Sequence, residues 1–160
     1  IGVFAACTPT PEPTPTPTAL FASDEEAFAA AEETYRAYLA AANATDLTEP
    51  ATFESVFDWL TGTALSAERE SLSLYHAEGL SRVGTTTFDT FEPVAFQDGA
   101  VVVNLCLDVA DVDLQNAEGE SVIPPDRAPR SGRKVTFVPG DTSTALLISS
   151  NHKPDEGFSC

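Results

Sequence analysis

Three cysteines and two histidines are the side chains of this 160-residue chain best suited to chemistry: Cys7, Cys106, Cys160, His76 and His152. Two imidazoles are too few for a multi-histidine metal site, and no CxxC spacing offers a redox pair. His76, beside Tyr75 near an expected helix end, suits a structural hydrogen bond better than catalysis. The carboxylates Asp108, Asp111, Asp113, Glu118 and Glu120 crowd one segment. Gln115 and Asn116, however, replace the third ligand and the glycine that an EF-hand loop requires, so we read the cluster as a solvated sheet edge. No nucleophile elbow, phosphate loop or zinc-protease motif occurs. Neither a metal nor a cofactor is expected.

The thiols divide by position. Ile1-Gly2-Val3-Phe4-Ala5-Ala6 has the apolar-then-small grading of the end of a secretory signal, with Cys7 at the cleavage point. Because the sequence contains no Met, we expect Ile1 to lie within a longer precursor. The run Phe4-Ala5-Ala6-Cys7 resembles the lipobox of bacterial lipoproteins, and that resemblance implies lipidation of Cys7 and its exposure as the mature N-terminus. Acyl chains would then hold the protein to a membrane by burial worth about 0.8 kcal/mol per CH2. An ordinary signal tail with an incidental Cys is the alternative. With Cys7 assigned to lipid, Cys106 and Cys160 are the thiols that remain. In an oxidising compartment we expect them to be paired, against the alternative of a buried thiol and an unrelated terminal one.

Residues 8–18 read TPTPEPTPTPT. Proline at alternate positions fixes φ and removes amide donors, which predicts an extended arm reaching about 30 Å. Residues 1–6 are thus expected to be a signal remnant, 7–18 an anchor and linker, and 19–160 one domain. With 25 acidic against 8 basic side chains, the formal charge is −17. Such a field opposes nucleic acid and anionic lipid as partners. Four of the basic residues, Arg127, Arg130, Arg133 and Lys134, nevertheless fall in one short segment.

Ser23-Asp24-Glu25-Glu26 forms a capping box and predicts a helix start. Phe28, Ala31, Tyr35, Tyr38, Leu39 and Ala42 follow at helical spacing, with an end expected near Asn43. A second helix is predicted from Glu49-Pro50, turning Phe53, Val56, Phe57 and Leu60 inward and ending at Thr61-Gly62. A third, capped by Thr63 or Ser66, has Leu65, Leu72 and Tyr75 or His76 as inward candidates and stops at Gly79. Asn43-Ala44-Thr45 is a formal glycosylation acceptor, which an acyl-anchored bacterial protein would make incidental.

From Val83 the residues become β-branched and aromatic. Pro93 implies a bulge, bend or edge position, and Asp98-Gly99 a tight hairpin. Residues 100–112 alternate an apolar row against a mixed one, so the second face is expected to be partly open or to cover a cavity. Strands return at 133–138 and 145–150. Helices followed by about four antiparallel strands predict an α+β fold, with N-terminal helices packed on a curved sheet.

This order resembles the nuclear transport factor 2-like superfamily, whose cone-shaped roll encloses a pocket. Tyr75-His76-Ala77-Glu78-Gly79, Cys106-Leu107-Asp108-Val109 with Val112-Asp113, Arg127 and Arg130, and Phe158-Ser159-Cys160 resemble uncharacterised actinobacterial surface lipoproteins. Superfamily enzymes resembling ketosteroid isomerase place an Asp base and a Tyr donor in the cone. That resemblance makes Tyr35, Tyr38, Asp58, His76 and Asp108 the catalytic candidates, with Asp as base and Tyr stabilising an oxyanion.

The leading expectation is a lipid-anchored, extracytoplasmic binding domain of the cell envelope, non-catalytic, whose partner is an envelope protein or small ligand. A small isomerase or dehydratase using the cone is the alternative, and a purely structural envelope component is a third. Mass spectrometry of the protein from its own host is expected to find a diacylglycerol-modified Cys7 as first residue. A retained, unmodified Ile1 would reject the anchor.

Overall fold

The first helix begins where the side chains make it begin. In the computed structural model, which describes residues 19–160, α1 spans Asp24–Ala44. Ser23 Oγ accepts the Glu26 amide at 3.2 Å, and Glu26 reaches back to the Ala22 amide at 2.8 Å, one residue beyond the usual capping-box donor. Ala27, Ala31, Thr34, Tyr35, Tyr38 and Leu39 form its buried stripe. Cys7 and the Thr/Pro arm lie outside the described residues.

The second predicted helix is broken. A 3-10 turn, Pro50–Thr52, leads into α2, Glu54–Phe57. Leu60 instead lies beside Ile148 in a parallel bridge, with Thr61 N donating to Ile148 O at 2.8 Å and Ile148 N to Trp59 O at 2.9 Å. Backbone pairing with a strand edge has overridden the helical pattern there. α3 covers Gly62–Ala77, and its N-cap is Thr61, without a side-chain cap. Thr63 Oγ1 is drawn instead to Ser149 O at 3.2 Å, and Ser66 Oγ to Gly62 O at 3.2 Å. The helix ends as expected at Gly79, whose φ of 67° lets Leu80 N reach Tyr75 O and Gly79 N reach His76 O, both at 3.0 Å.

Six strands follow: β1 Ser81–Val83, β2 Thr87–Gln97, β3 Ala100–Asp108, β4 Asp113–Gln115, β5 Arg130–Pro139 and β6 Leu146–His152. Four make an antiparallel sheet in the order β2-β3-β5-β6. The short β1 and β4 pair with each other, an addition that the run of residues 100–112 did not suggest. That run stops at Asp108, whose carboxylate takes the Ala110 amide at 2.9 Å and starts a turn. Gly84 is required beside this pair, since a Cβ there would lie 1.8 Å from Asp111 O. Pro93 sits in an edge strand with register shifts on either side, at 89/92 and 93/95. Bulges of this kind bend a strand and help a sheet curl.

The sheet's inner rows, Val101, Val103 and Leu105 on β3, Val135 and Phe137 on β5 and Ile148 on β6, are fully buried against Ala27, Ala31, Tyr35 and Val56. Each such Val or Leu contributes about 1.5–3 kcal/mol. Thr34, fully buried, is satisfied by Ala30 O at 2.7 Å and Thr144 Oγ1 at 2.6 Å. The bond to Thr144 latches α1 to the turn between β5 and β6. The outer face is covered at Cys106 by the C-terminal tail, where a disulfide joins Cys106 to Cys160 across 54 residues. Pro154 and Phe158 lie over Gly132, where a Cβ would meet them at 2.9 and 3.1 Å.

Closing a loop of that length contributes about 4 kcal/mol in the chain-entropy picture. Cys160→Ser is therefore expected to lower the unfolding free energy in urea by about 2–4 kcal/mol. Non-reducing peptide maps of the unaltered chain should recover the 106–160 pair, and free thiols at both positions would reject it.

Candidate functional site

The core does not fill the cone. Toward the ends of α1 and α3 and the start of β5, a cavity of about 390 Å³ opens between Tyr35, Tyr38, Glu68, Arg82, Arg133 and Asn151, with Leu39, Ala42 and Leu107 as apolar wall. Its size lies within the range of small-molecule sites.

Each polar group arrives by the periodicity of its element. On α1, Tyr35 and Tyr38 share the buried stripe, their ring centroids 5.6 Å apart, and Phe88 packs edge-on against Tyr35 at 5.0 Å. On α3, Glu68 lies between Leu65 and Leu72 at three- and four-residue spacing, which carries a carboxylate onto the inward face. On β5, Arg133 precedes Val135 and Phe137 at period two, so it points inward while Lys134 points outward to Asp155 at 2.5 Å. Asn151 lies opposite Val135 on β6. Arg82, from β1, donates to the Ala42 and Thr45 carbonyls, the latter at 3.3 Å.

Tyr38 donates to Glu68 Oε2 at 3.2 Å. Burial raises the Glu68 carboxyl above its ordinary value of 4.5, while the Tyr38 hydroxyl and the charge of Arg82 pull it back. Burial likewise pushes both tyrosines up, so their hydroxyls stay protonated donors at neutral pH. Arg133 Nε is enclosed without a hydrogen-bond partner, whereas the Tyr35 hydroxyl and the Asn151 side chain face one another just outside direct hydrogen-bond geometry. An unpaired buried polar group is costly, at about 1–3 kcal/mol.

Of the catalytic candidates from the sequence, only Tyr35 and Tyr38 reach this cavity. Asp58 stands in a separate groove with Trp59 and Asp141. His76 is exposed, its Nδ1 2.9 Å from Leu47 O. Asp108 holds the turn after β3. No Asp therefore faces either tyrosine, and Glu68 occupies the carboxylate position instead. Glu68, Arg82, Arg133 and Asn151 were absent from that candidate set, yet a signal existed for two: Glu68 interrupts the apolar stripe of α3, and Arg133 begins the apolar row of β5. Asn43, in the glycosylation acceptor, has its amide engaged by the Thr86 backbone at 2.8 and 2.9 Å. The acidic segment is used locally, Asp113 accepting from Ser121 and from Gln115 at 3.0 Å. Among the described residues no three His, Cys, Asp or Glu side chains are grouped to hold a metal ion, and no helix is long and apolar enough to cross a membrane.

No family model and no curated protein matches the chain. Solved structures do share its architecture. A proposed aromatic ring hydroxylase from Novosphingobium aromaticivorans aligns with TM-score 0.56 and 10% identity over 81% of this chain and 88% of that one. A Catenulispora acidiphila protein in complex with S-DNPA aligns with TM-score 0.50 and 15% identity over 78% and 90%. A further C. acidiphila structure gives 0.50 and 16% over 78% and 87%. At these identities the likeness concerns fold alone, and that fold is nuclear transport factor 2-like.

Because folding raises the Glu68 pKa, the native state holds this proton more tightly than the unfolded chain does. The penalty is absent below the unfolded value near 4.5 and grows as pH rises through the window above it. Glu68→Gln, which keeps an acceptor for Tyr38, should match the unaltered chain at about pH 4 and gain stability over it toward about pH 7. Urea midpoints across that range check the sign, and a difference independent of pH would contradict it.

Proposed function

We propose that this chain is a membrane-tethered, extracytoplasmic binding domain whose cone receives a small organic ligand. The observation that carries this reading is the cavity of about 390 Å³ with the partnerless Arg133 Nε, and Tyr35 Oη beside Asn151, in its wall. Buried polar atoms of a folded protein are nearly always paired, and a ligand with an acceptor group would give Arg133 Nε its partner. The lipobox-like Phe4-Ala5-Ala6-Cys7 and the Thr/Pro arm support attachment at a membrane. The Cys106–Cys160 disulfide supports an oxidising compartment.

A catalytic reading of the same cavity is favoured by one observation, the Tyr38–Glu68 contact at 3.2 Å in a site where burial raises the carboxyl. Glu68 would serve as the base of an isomerase or dehydratase and Tyr35 as the oxyanion donor. That reading requires Glu68→Gln to abolish conversion of a β,γ-unsaturated ketone, followed at the absorbance of its conjugated product, while leaving its binding intact.

The binding reading is tested with the neutral fluorescent probe N-phenyl-1-naphthylamine. It should bind the unaltered chain, and Ser71→Trp or Ala42→Trp, each placing an indole in the cavity, should weaken it by about tenfold or more. Undiminished binding by both filled variants would exclude the cone as the site.

A further inference from the structure

Six of the eight basic side chains of this acidic protein are accounted for by what they touch, and a seventh, Lys153, is exposed to solvent. Arg36, Arg130 and Lys134 pair with Glu32, Asp89 and Asp155. Arg69 lies over the Phe57 ring with its guanidinium carbon 5.1 Å from the centroid. Arg127 donates to the Val109 and Val112 carbonyls at 2.7 and 2.8 Å. Arg82 is bound to the carbonyls at the end of α1 and offsets the charge of Glu68. Arg133 is different. It stands in the cavity wall, its Nε is enclosed and partnerless, and among the described residues no carboxylate lies within ion-pair distance of it.

The charged groups lining the cavity are Arg82, Arg133 and Glu68. With Glu68 ionised they leave one positive charge in surplus, inside a molecule whose formal charge is −17. Solubility gives no reason to enclose a cation there. A planar guanidinium presents its donors in a fork matched to a carboxylate, and such charge-assisted bonds are stronger than neutral ones. The Tyr35 hydroxyl, held protonated by burial and with the Asn151 side chain beside it, is a second donor at the same wall. Leu39, Ala42 and Leu107 provide the apolar remainder.

Resting on the reading that the cone binds a small ligand, we propose that the ligand is an organic acid, its carboxylate received by Arg133 and Tyr35 and its ring body lying on the apolar wall.

Three probes of one ring and near-equal size separate the alternatives: 2-naphthoic acid, 2-naphthylmethanol and 2-naphthylmethylamine, each titrated into the full chain by calorimetry and by amide NMR. The acid should bind about tenfold or more tightly than the alcohol and more tightly still than the amine, shifting the amides of Tyr35, Arg133 and Asn151. In Arg133→Gln the gap between acid and alcohol should close. In Tyr35→Phe it should narrow with alcohol affinity little changed. Alcohol or amine binding at the same amides as tightly as the acid would overturn the acid assignment and leave the binding reading standing. Absence of any shift with all three would overturn both. The ranking on the unaltered chain decides the matter even where a variant does not fold.

Discussion

The burial of one face of a bent sheet against one helix is the constraint on which the rest of this structure depends. Inner rows of β3, β5 and β6 meet the small-residue stripe of α1, where Ala27 and Ala31 let the helix approach closely. The match is good along one half of the sheet only. Beyond Leu105 and Val135 the inner row continues with Arg133, and beyond Ala31 the helix continues with Tyr35 and Tyr38. Side chains with polar ends meet there, and close packing gives way to a cavity. The site is the place where the core's apolar pattern stops while the scaffold's geometry goes on.

The other elements border that end of the core and the sheet edges beside it. Register shifts around Thr90 and Pro93 accompany the bend of β2. The β1–β4 pair brings Arg82 to the mouth, and its guanidinium ties the end of α1 in place. On the opposite edge, residues 59–61 cover β6 with backbone hydrogen bonds, which removes an edge otherwise open to pairing with another chain. The disulfide fastens the tail over the outer face at Cys106, on the strand whose inner face forms the core.

Electrostatically the molecule is divided. Its carboxylates are mostly on the surface, paired with nearby amides and hydroxyls or solvated, as with Asp46, which accepts from Thr48. The cavity has the opposite balance, two guanidinium groups against one carboxylate with a raised pKa. In the low-dielectric interior such a local imbalance acts more strongly than the same charges at the surface.

The sequence alone determined the types of the long elements, where most of them start or stop and their core faces, because caps, turn glycines and hydrophobic period are local signals. Ser23 and Glu26 start α1, Gly79 stops α3, Asp98-Gly99 turns β2 into β3, and the alternation of 101, 103 and 105 marks the buried row. The pairing of Cys106 with Cys160 was also legible, by counting thiols. Only the tertiary structure decided which polar side chains meet. Glu68, Arg82, Arg133 and Asn151 come from four different elements, and their convergence depends on strand register, on sheet curvature and on where each helix crosses the sheet. Asp58 and Asp108 have the right chemistry but sit on a separate groove and a turn. A residue's type and spacing reveal its face, whereas its partners across the core are set by the path of the whole chain.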